Sequence, residues 1–383
     1  MTPQGASRPA PLGLRDRLLG LRDRILSSQR FQRAAARFPL TRPIATAEAS
    51  ALFDITAGFV YAQVLSAAVK LDLFAILAEA PATAAALSAR TGLPPAGMER
   101  LLAAAATLRL TERRSNDRWG LGRRGAALLG NPGLAEMIAH HDLFYRDLAD
   151  PLALLSGARP ETELGRFWPY ARRAAGDRPA EDDVAAYSRL MAASQGFVAE
   201  DVLDAVPLSR IRRLMDVGGG DGTFLRRAAA RAPGLHVTLF DLPPVAEIAR
   251  ARFAAAGLGD RADAVGGSFR DQALPVGADA ISIVRVAHDH DDDVVLDLFA
   301  KARAALPRDG MLIVAEPMAD TPGAERMGEA YFGFYLLAMG SGRPRSAAEL
   351  AALLGRAGFA SVRPVRTARP MLAGVLLARP NPD

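Results

Sequence analysis

Apolar and polar positions divide the chain into stretches of different period. From residue 208 onward, short strand-type apolar runs near 212–217, 236–240, 262–265, 279–286 and 311–315 alternate with segments of helical spacing, the pattern of an open parallel α/β sheet. Two further runs, 360–366 and 371–378, lie too close together for a crossover and predict an edge hairpin. Upstream, residues 47–129 are alanine-rich and helical in period, with breaks at Pro81, at Gly92-Leu93-Pro94-Pro95 and in the arginine-rich segment RSNDR. They predict helix, turn, helix and then a β-wing. Near the N-terminus LRDR occurs twice, seven residues apart, in LGLRDRLLGLRDRIL. On a helix Leu14, Leu18, Leu21 and Ile25 share a stripe of about 60°. Arg15 and Arg22 flank it on one side, Arg17 and Arg24 on the other, and Asp16 and Asp23 lie opposite. Four segments are therefore expected: a basic amphipathic arm (1–45), a winged-helix-like module (46–130), linking helices that line a substrate cavity (131–207) and a catalytic sheet (208–383).

Charge sharpens this division. The chain of 383 residues has a net charge of +5, but residues 1–45 hold nine arginines and two aspartates, +7, so the remainder carries −2. The basic balance belongs to the arm. Arginines beside an apolar stripe suit a helix lying in a membrane interface, and packing on a dimer partner suits the same pattern. The sequence holds no uninterrupted apolar stretch of about 18 residues and no signal-peptide core, so a cytoplasmic enzyme, peripheral on a membrane if the arm docks, is expected. Zero cysteines exclude disulfides, thiol catalysis and cysteine metal sites, and five histidines argue against a histidine-rich metal centre.

Chemistry concentrates in residues 214–225, LMDVGGGDGTFL, where strand, glycine turn and helix start follow one another. Glycines there let the backbone turn sharply and approach a nucleotide-like ligand. They fall at Gly218, Gly220 and Gly222, whereas a dinucleotide fingerprint would need its third glycine at Thr223. Twenty-three residues after Gly218, the run HVTLF ends in Asp241, a carboxylate able to accept both hydroxyls of a ribose. The pair favours S-adenosylmethionine over NAD. The strand at 279–286 leads into AHDHDDD and the next one into Glu316. Crevices in open sheets lie beyond the strands' carboxyl ends, so His288 and Glu316 should meet there as a general base held in one tautomer by an acid.

In the order DVGGGDG, FDLP, GGSF, RVAHD and ALP-x3-MLIVAEP, the chain resembles the winged-helix S-adenosylmethionine-dependent small-molecule O-methyltransferases, over nearly everything after residue 50. That family includes plant phenol and acetylserotonin enzymes. The run VAEPMADTPGAERMGEAYFGFYLLAMGSGRPRS is similar to the carotenoid branch, the hydroxyneurosporene and demethylspheroidene enzymes of purple phototrophic bacteria. The resemblance implies a Rossmann-like methyltransferase sheet, mostly parallel with an antiparallel last strand, after an all-helical winged-helix dimerisation domain, and hence a homodimer. It implies S-adenosylmethionine as cofactor, His288 as proton acceptor and Glu316 as its orienting acid. The tryptophan of the family's H-D-W motif is His290 here. The acid expected to contact adenine is Gly267, leaving backbone groups of Gly267, Ser268 and Phe269 for that task. Arg285 occupies a position used near the cofactor in bacterial and acetylserotonin-type members. A second acid expected after Gly342-Arg343 is replaced by Pro344, which leaves the full acid–histidine–acid clamp in question.

The acceptor implied by the resemblance is the tertiary hydroxyl of an acyclic carotenoid, and the apolar segment YFGFYLLAM (331–339) would take a hydrophobic body. Residue chemistry leaves a phenolic or polyketide hydroxyl open. An NAD-dependent oxidoreductase and a ligand-sensing winged-helix regulator remain as alternatives. The second helix of the helix-turn-helix, however, offers only Glu99 and Arg100 among alanines and leucines, too few base readers for a nucleic-acid partner. In the linking segment stand His140-His141, the cluster Trp168 to Tyr170 and the helical row Tyr187, Met191, Ser194. Adjacent histidines cannot both face one metal ion, so no metal site is expected, and packing accounts for the aromatics as well as a cavity wall does.

Overall fold

Strands buried on both faces read as near-continuous apolar runs, and the segments AISIV and MLIVAE of this chain are buried at every residue. In the computed structural model, which describes residues 13–168 and 195–381, the chain divides at Gly122/Arg123 into two compact units. Tyr170, Tyr187, Met191 and Ser194 lie outside the described residues.

The first unit begins with α1 (Leu14–Leu26) and α2 (Gln29–Arg37), neither of which buries a residue. The Ser28 hydroxyl accepts the Phe31 amide to start α2. The long helix α3 (Arg42–Lys70) starts on Pro43 and buries only Ser66 and Ala68. By length and mean hydropathy it is apolar enough to cross a membrane, although Glu48 and Asp54 interrupt it. Then come α4 (Leu73–Glu79), α5 (Ala84–Thr91) and α6 (Pro95–Thr107). Leu73, Leu87, Met98 and Leu102 meet in the core with no exposed surface. The wing pairs β1 (Thr111–Arg113) antiparallel with β2 (Trp119–Leu121). The expected helix-turn-helix and wing are present, and α6 turns its apolar residues inward for packing.

In the second unit, α7 (Arg123–Leu129), α8 (Pro132–Asp147), α9 (Pro151–Leu155) and α10 (Glu163–Phe167) precede α11, described over 195–205. The sheet comprises β3 (Arg213–Val217), β4 (His236–Asp241), β5 (Ala262–Gly266), β6 (Ala280–Val284), β7 (Met311–Glu316), β8 (Phe359–Val365) and β9 (Gly374–Pro380). Its order is β5-β4-β3-β6-β7-β9-β8, parallel up to β7, with β9 antiparallel to both neighbours. On one face α11, α12 (Thr223–Arg231) and α13 (Pro243–Ala255) supply Val202, Phe224 and Phe253 to the core. On the other, α14 (Asp292–Ala305) and α16 (Ala347–Arg356) supply Phe299, Leu350 and Leu354. The strand order reverses at β3/β6, the switch point where such sheets open a crevice.

Two details bear on the site. The strand expected to run to residue 286 stops at Val284, because Arg285 takes a left-handed backbone (φ 58°), which no strand accommodates. The apolar segment at 331–339 spans two helical forms. A π-helix (Arg326–Phe332) passes into α15 (Gly333–Met339), and such wide turns recur at functional sites.

Candidate active site

The glycine turn after β3 is left-handed at Gly218, Gly220 and Gly222 (φ 70°, 61° and 76°), a conformation that side chains disfavour. A β-carbon on Gly218 would also come within 2.8 Å of Val286. The turn is tied to the next strand, since the Gly220 amide donates to Asp241 Oδ2 at 2.8 Å and the Leu242 amide to Oδ1 at 2.7 Å. Burial pushes the Asp241 carboxyl up to about 6, against the pull of these two amides. Behind it, Asp216 is fully enclosed. Its Oδ1 accepts from the Ser282 hydroxyl at 2.6 Å, and burial raises it to about 7.

A cavity opens beside these groups. Gly218, Gly220, Asp241, Gly267, Ser268, Phe269 and Arg285, expected from the sequence around one cofactor, all line it. So do Asp289, His290 and Trp168. Gly267 has a steric reason. A β-carbon there would stand 2.4 Å from Gln272 Oε1 and 2.6 Å from the Phe240 ring, so these side chains fill the volume an acidic residue would need. Phe269 and His290 meet edge to face at 5.2 Å, and His290 Nδ1 lies 3.0 Å from Arg270 Nη2. Burial, and then the Arg270 charge, push His290 down to about 3, so its imidazole is neutral and accepts from arginine.

The register of β6 and β7 sets Val284 beside Ala315 and brings Glu316 against the turn that follows β6. Glu316 Oε1 accepts the amides of Val286 (3.0 Å) and Ala287 (2.7 Å), while Oε2 lies 2.6 Å from His288 Nδ1. With one carboxylate oxygen committed to the backbone, the other has a fixed direction. The second ring nitrogen, Nε2, stands 3.1 Å from Asp289 Oδ1. A second carboxylate thus brackets the histidine, from the adjacent residue rather than from the position of Pro344. Burial opposes a charged imidazole here, but Asp289 and Glu316 outweigh it and hold His288 above its ordinary value. His288 and Glu316 stand off the cavity wall, which Asp289 and Arg285 form beside them.

The segment following Gly342 holds this turn from behind. The Arg343 amide donates to the His288 carbonyl (3.1 Å), and buried Arg345 donates to the carbonyls of Ala287 and His290 (2.8 Å each) and to Asp292. In front, the Phe332 ring lies 5.9 Å from the His288 ring. From the same helical stretch the Tyr331 hydroxyl lies 2.7 Å from His141 Nε2 and the Tyr335 hydroxyl 2.9 Å from His140 Nε2. Trp168 Nε1 donates to Tyr335 at 3.1 Å. The adjacent histidines thus face two different hydroxyls of one helical stretch. Among the described residues no cluster suits a metal ion.

Sequence reasoning missed Asp216, Asp289, Arg345 and the two tyrosine–histidine pairs. Only Asp289 carried a local signal, its adjacency to the histidine. The tyrosine–histidine partners are 190 residues or more apart, and only the fold joins them.

Residues 147–360 match the O-methyltransferase domain family and residues 53–131 the O-methyltransferase dimerisation domain family. The chain is 49% identical over 355 residues to the demethylspheroidene O-methyltransferase of Cereibacter sphaeroides, covering 92% of this chain and 93% of that one. It is 46% identical over 353 residues to the Rhodobacter capsulatus protein of the same name, covering 92% and 87%. Among solved structures, the mitomycin 7-O-methyltransferase superposes with a TM-score of 0.72 at 27% identity, over 89% of this chain and all of the other.

Proposed function

Because the chain belongs to the S-adenosylmethionine-dependent O-methyltransferase family, we propose that it methylates a hydroxyl of a hydrophobic acceptor through the His288–Glu316 pair, and that this acceptor is a hydroxylated acyclic carotenoid. The observation that carries the catalytic part is the 2.6 Å contact between Glu316 and His288 Nδ1 at two neighbouring strand ends, beside the cavity. The acceptor rests on the names of the two relatives and on the aromatic and apolar segment 331–339 near the histidine.

The cavity's residues fit the cofactor. Asp241 presents a carboxylate for two ribose hydroxyls, and the backbone of Gly218 and Gly220 permits close approach. The backbone of Gly267 and Ser268 with the Phe269 ring would wall the adenine, and Arg285 would stand at the opposite end. Once bound, the cofactor supplies an already activated methyl group. What remains for the protein is to align the acceptor, exclude water and take one proton. Glu316 holds the proton of His288 on Nδ1, so Nε2 is the nitrogen that accepts. In the acceptor-free protein Asp289 Oδ1 lies 3.1 Å from that nitrogen, and it has to turn away for the acceptor hydroxyl to reach Nε2. A tertiary alcohol is scarcely acidic, so its proton leaves as the methyl arrives.

The dimerisation module makes the enzyme a homodimer in this reading. It works in the cytoplasm, peripherally attached by its basic arm to the membrane that dissolves such an acceptor. The test is mass spectrometry of hydroxylated carotenoid and phenolic acceptors incubated with labelled S-adenosylmethionine. Label should enter the carotenoid as one methyl ether. Methylation confined to phenols would overturn the acceptor, and label in neither class would overturn the catalytic assignment.

A further inference from the structure

From the exposed apolar face of α1 and α2 we infer a docking surface for an anionic bilayer, in which the leucine stripe inserts and the flanking arginines hold lipid phosphates. The inference takes its purpose from a lipid-dissolved acceptor, but not its test. Leu14, Leu18, Leu21 and Ile25 are 76%, 59%, 49% and 42% exposed. Phe31 in α2, and Phe38 and Leu40 just after it, are exposed as well. Exposed apolar side chains in this number call for a cover. Both helices precede residue 53, where the dimerisation match begins.

Charge decides between the two covers that suit an amphipathic helix. Arg15, Arg17, Arg22 and Arg24 are exposed on the flanks of the stripe, and the arm carries +7. Packing stripe against stripe with a second copy would bring two such arginine rows together. Arg22 pairs with Asp23 of its own helix at 2.7 Å, but an exposed ion pair of this kind contributes little, and Asp16 lies on the far side of the helix. An anionic lipid surface meets the same arrangement with opposite charge, and arginine stems can lie along the acyl boundary while their heads stay at phosphate level.

The test uses the full chain and vesicles of phosphatidylcholine with or without phosphatidylglycerol, read by flotation, with sedimentation velocity for oligomeric state. Wild-type protein should float with the anionic vesicles at low salt, be released as salt rises, and ignore neutral ones. Changing the four flanking arginines to glutamine should weaken binding about 100-fold or more, and Leu18→Asp with Leu21→Asp should abolish it. Both variants should remain dimers and retain activity on detergent-dispersed acceptor. Equal binding to neutral and anionic vesicles, or no binding, would overturn the inference. So would a fall in mass of either variant to the monomer, which would show that a second copy covers the stripe. Because no acceptor is present in the flotation assay, failure of the carotenoid assignment leaves its result readable.

Discussion

Replacing Glu316 by glutamine probes the site's proton arrangement with little change of shape. Glu316 Oε1 accepts two backbone amides, at 3.0 and 2.7 Å. A glutamine must keep its carbonyl oxygen there, since turning its NH2 toward those amides would oppose donor to donor. The NH2 then faces His288 Nδ1, which must accept, and the imidazole proton moves to Nε2. That tautomer is further favoured by Asp289 Oδ1, 3.1 Å from Nε2. Restoring the productive tautomer would set Nδ1–H against the glutamine NH2, two buried donors left unpaired at about 3 kcal/mol together, so it would be populated at roughly 1% or less. Single-turnover methyl transfer should therefore fall about 100-fold or more, toward the 10⁴ limit of a positioned base. Binding of S-adenosylhomocysteine by calorimetry should stay within about twofold. Glu316→Ala is less informative, because it orphans two buried amides and destabilises the turn. If Glu316→Gln transfers methyl within tenfold of wild type, the tautomer argument is refuted.

Three other perturbations separate the roles of neighbouring groups. Asp289 is among the charges that hold His288 above its ordinary value. Removing it in Asp289→Asn lowers that pKa, so the rise of kcat/KM with pH, which follows deprotonation of His288, should move to lower pH in a pH–rate profile. Asp241→Ala should weaken cofactor binding by roughly 1.5–3 kcal/mol in calorimetry, with less effect on turnover at saturation. In wild type, affinity should rise with pH through about 6 as that carboxyl ionises. Gly267→Asp, which restores the family's acid, should cost about 1–3 kcal/mol in denaturant unfolding, because Gln272 and Phe240 occupy the space.

Much of the sheet was legible because β6 and β7 are buried throughout, and a short continuous apolar run between turn residues suits a buried parallel strand. Gly218, Gly220 and Asp241 were expected from the glycine spacing and the strand end, Gly267, Ser268, Phe269 and Arg285 from the family resemblance alone, and all seven line one cavity. What escaped was set by backbone conformation or by distance along the chain. The left-handed turn at Arg285 ends β6 early, and nothing in DAISIVRV announces it. Tyr331 and Tyr335 stand in a segment read only as apolar, yet the fold sets their hydroxyls against His141 and His140. The missing acid at Pro344 suggested an incomplete clamp. Geometry supplies a carboxylate from Asp289, and Arg345 from the same substituted segment secures the turn by its carbonyls.

The most direct test of the catalytic assignment is the rate of labelled methyl transfer to a hydroxylated acyclic carotenoid by wild type and by His288→Ala, with the cofactor saturating. Wild type should form the methyl ether. The variant should bind S-adenosylhomocysteine nearly as tightly while its transfer rate drops by about 10² to 10⁴. Turnover by His288→Ala close to that of wild type would contradict a proton acceptor at this position and leave alignment alone to drive the reaction.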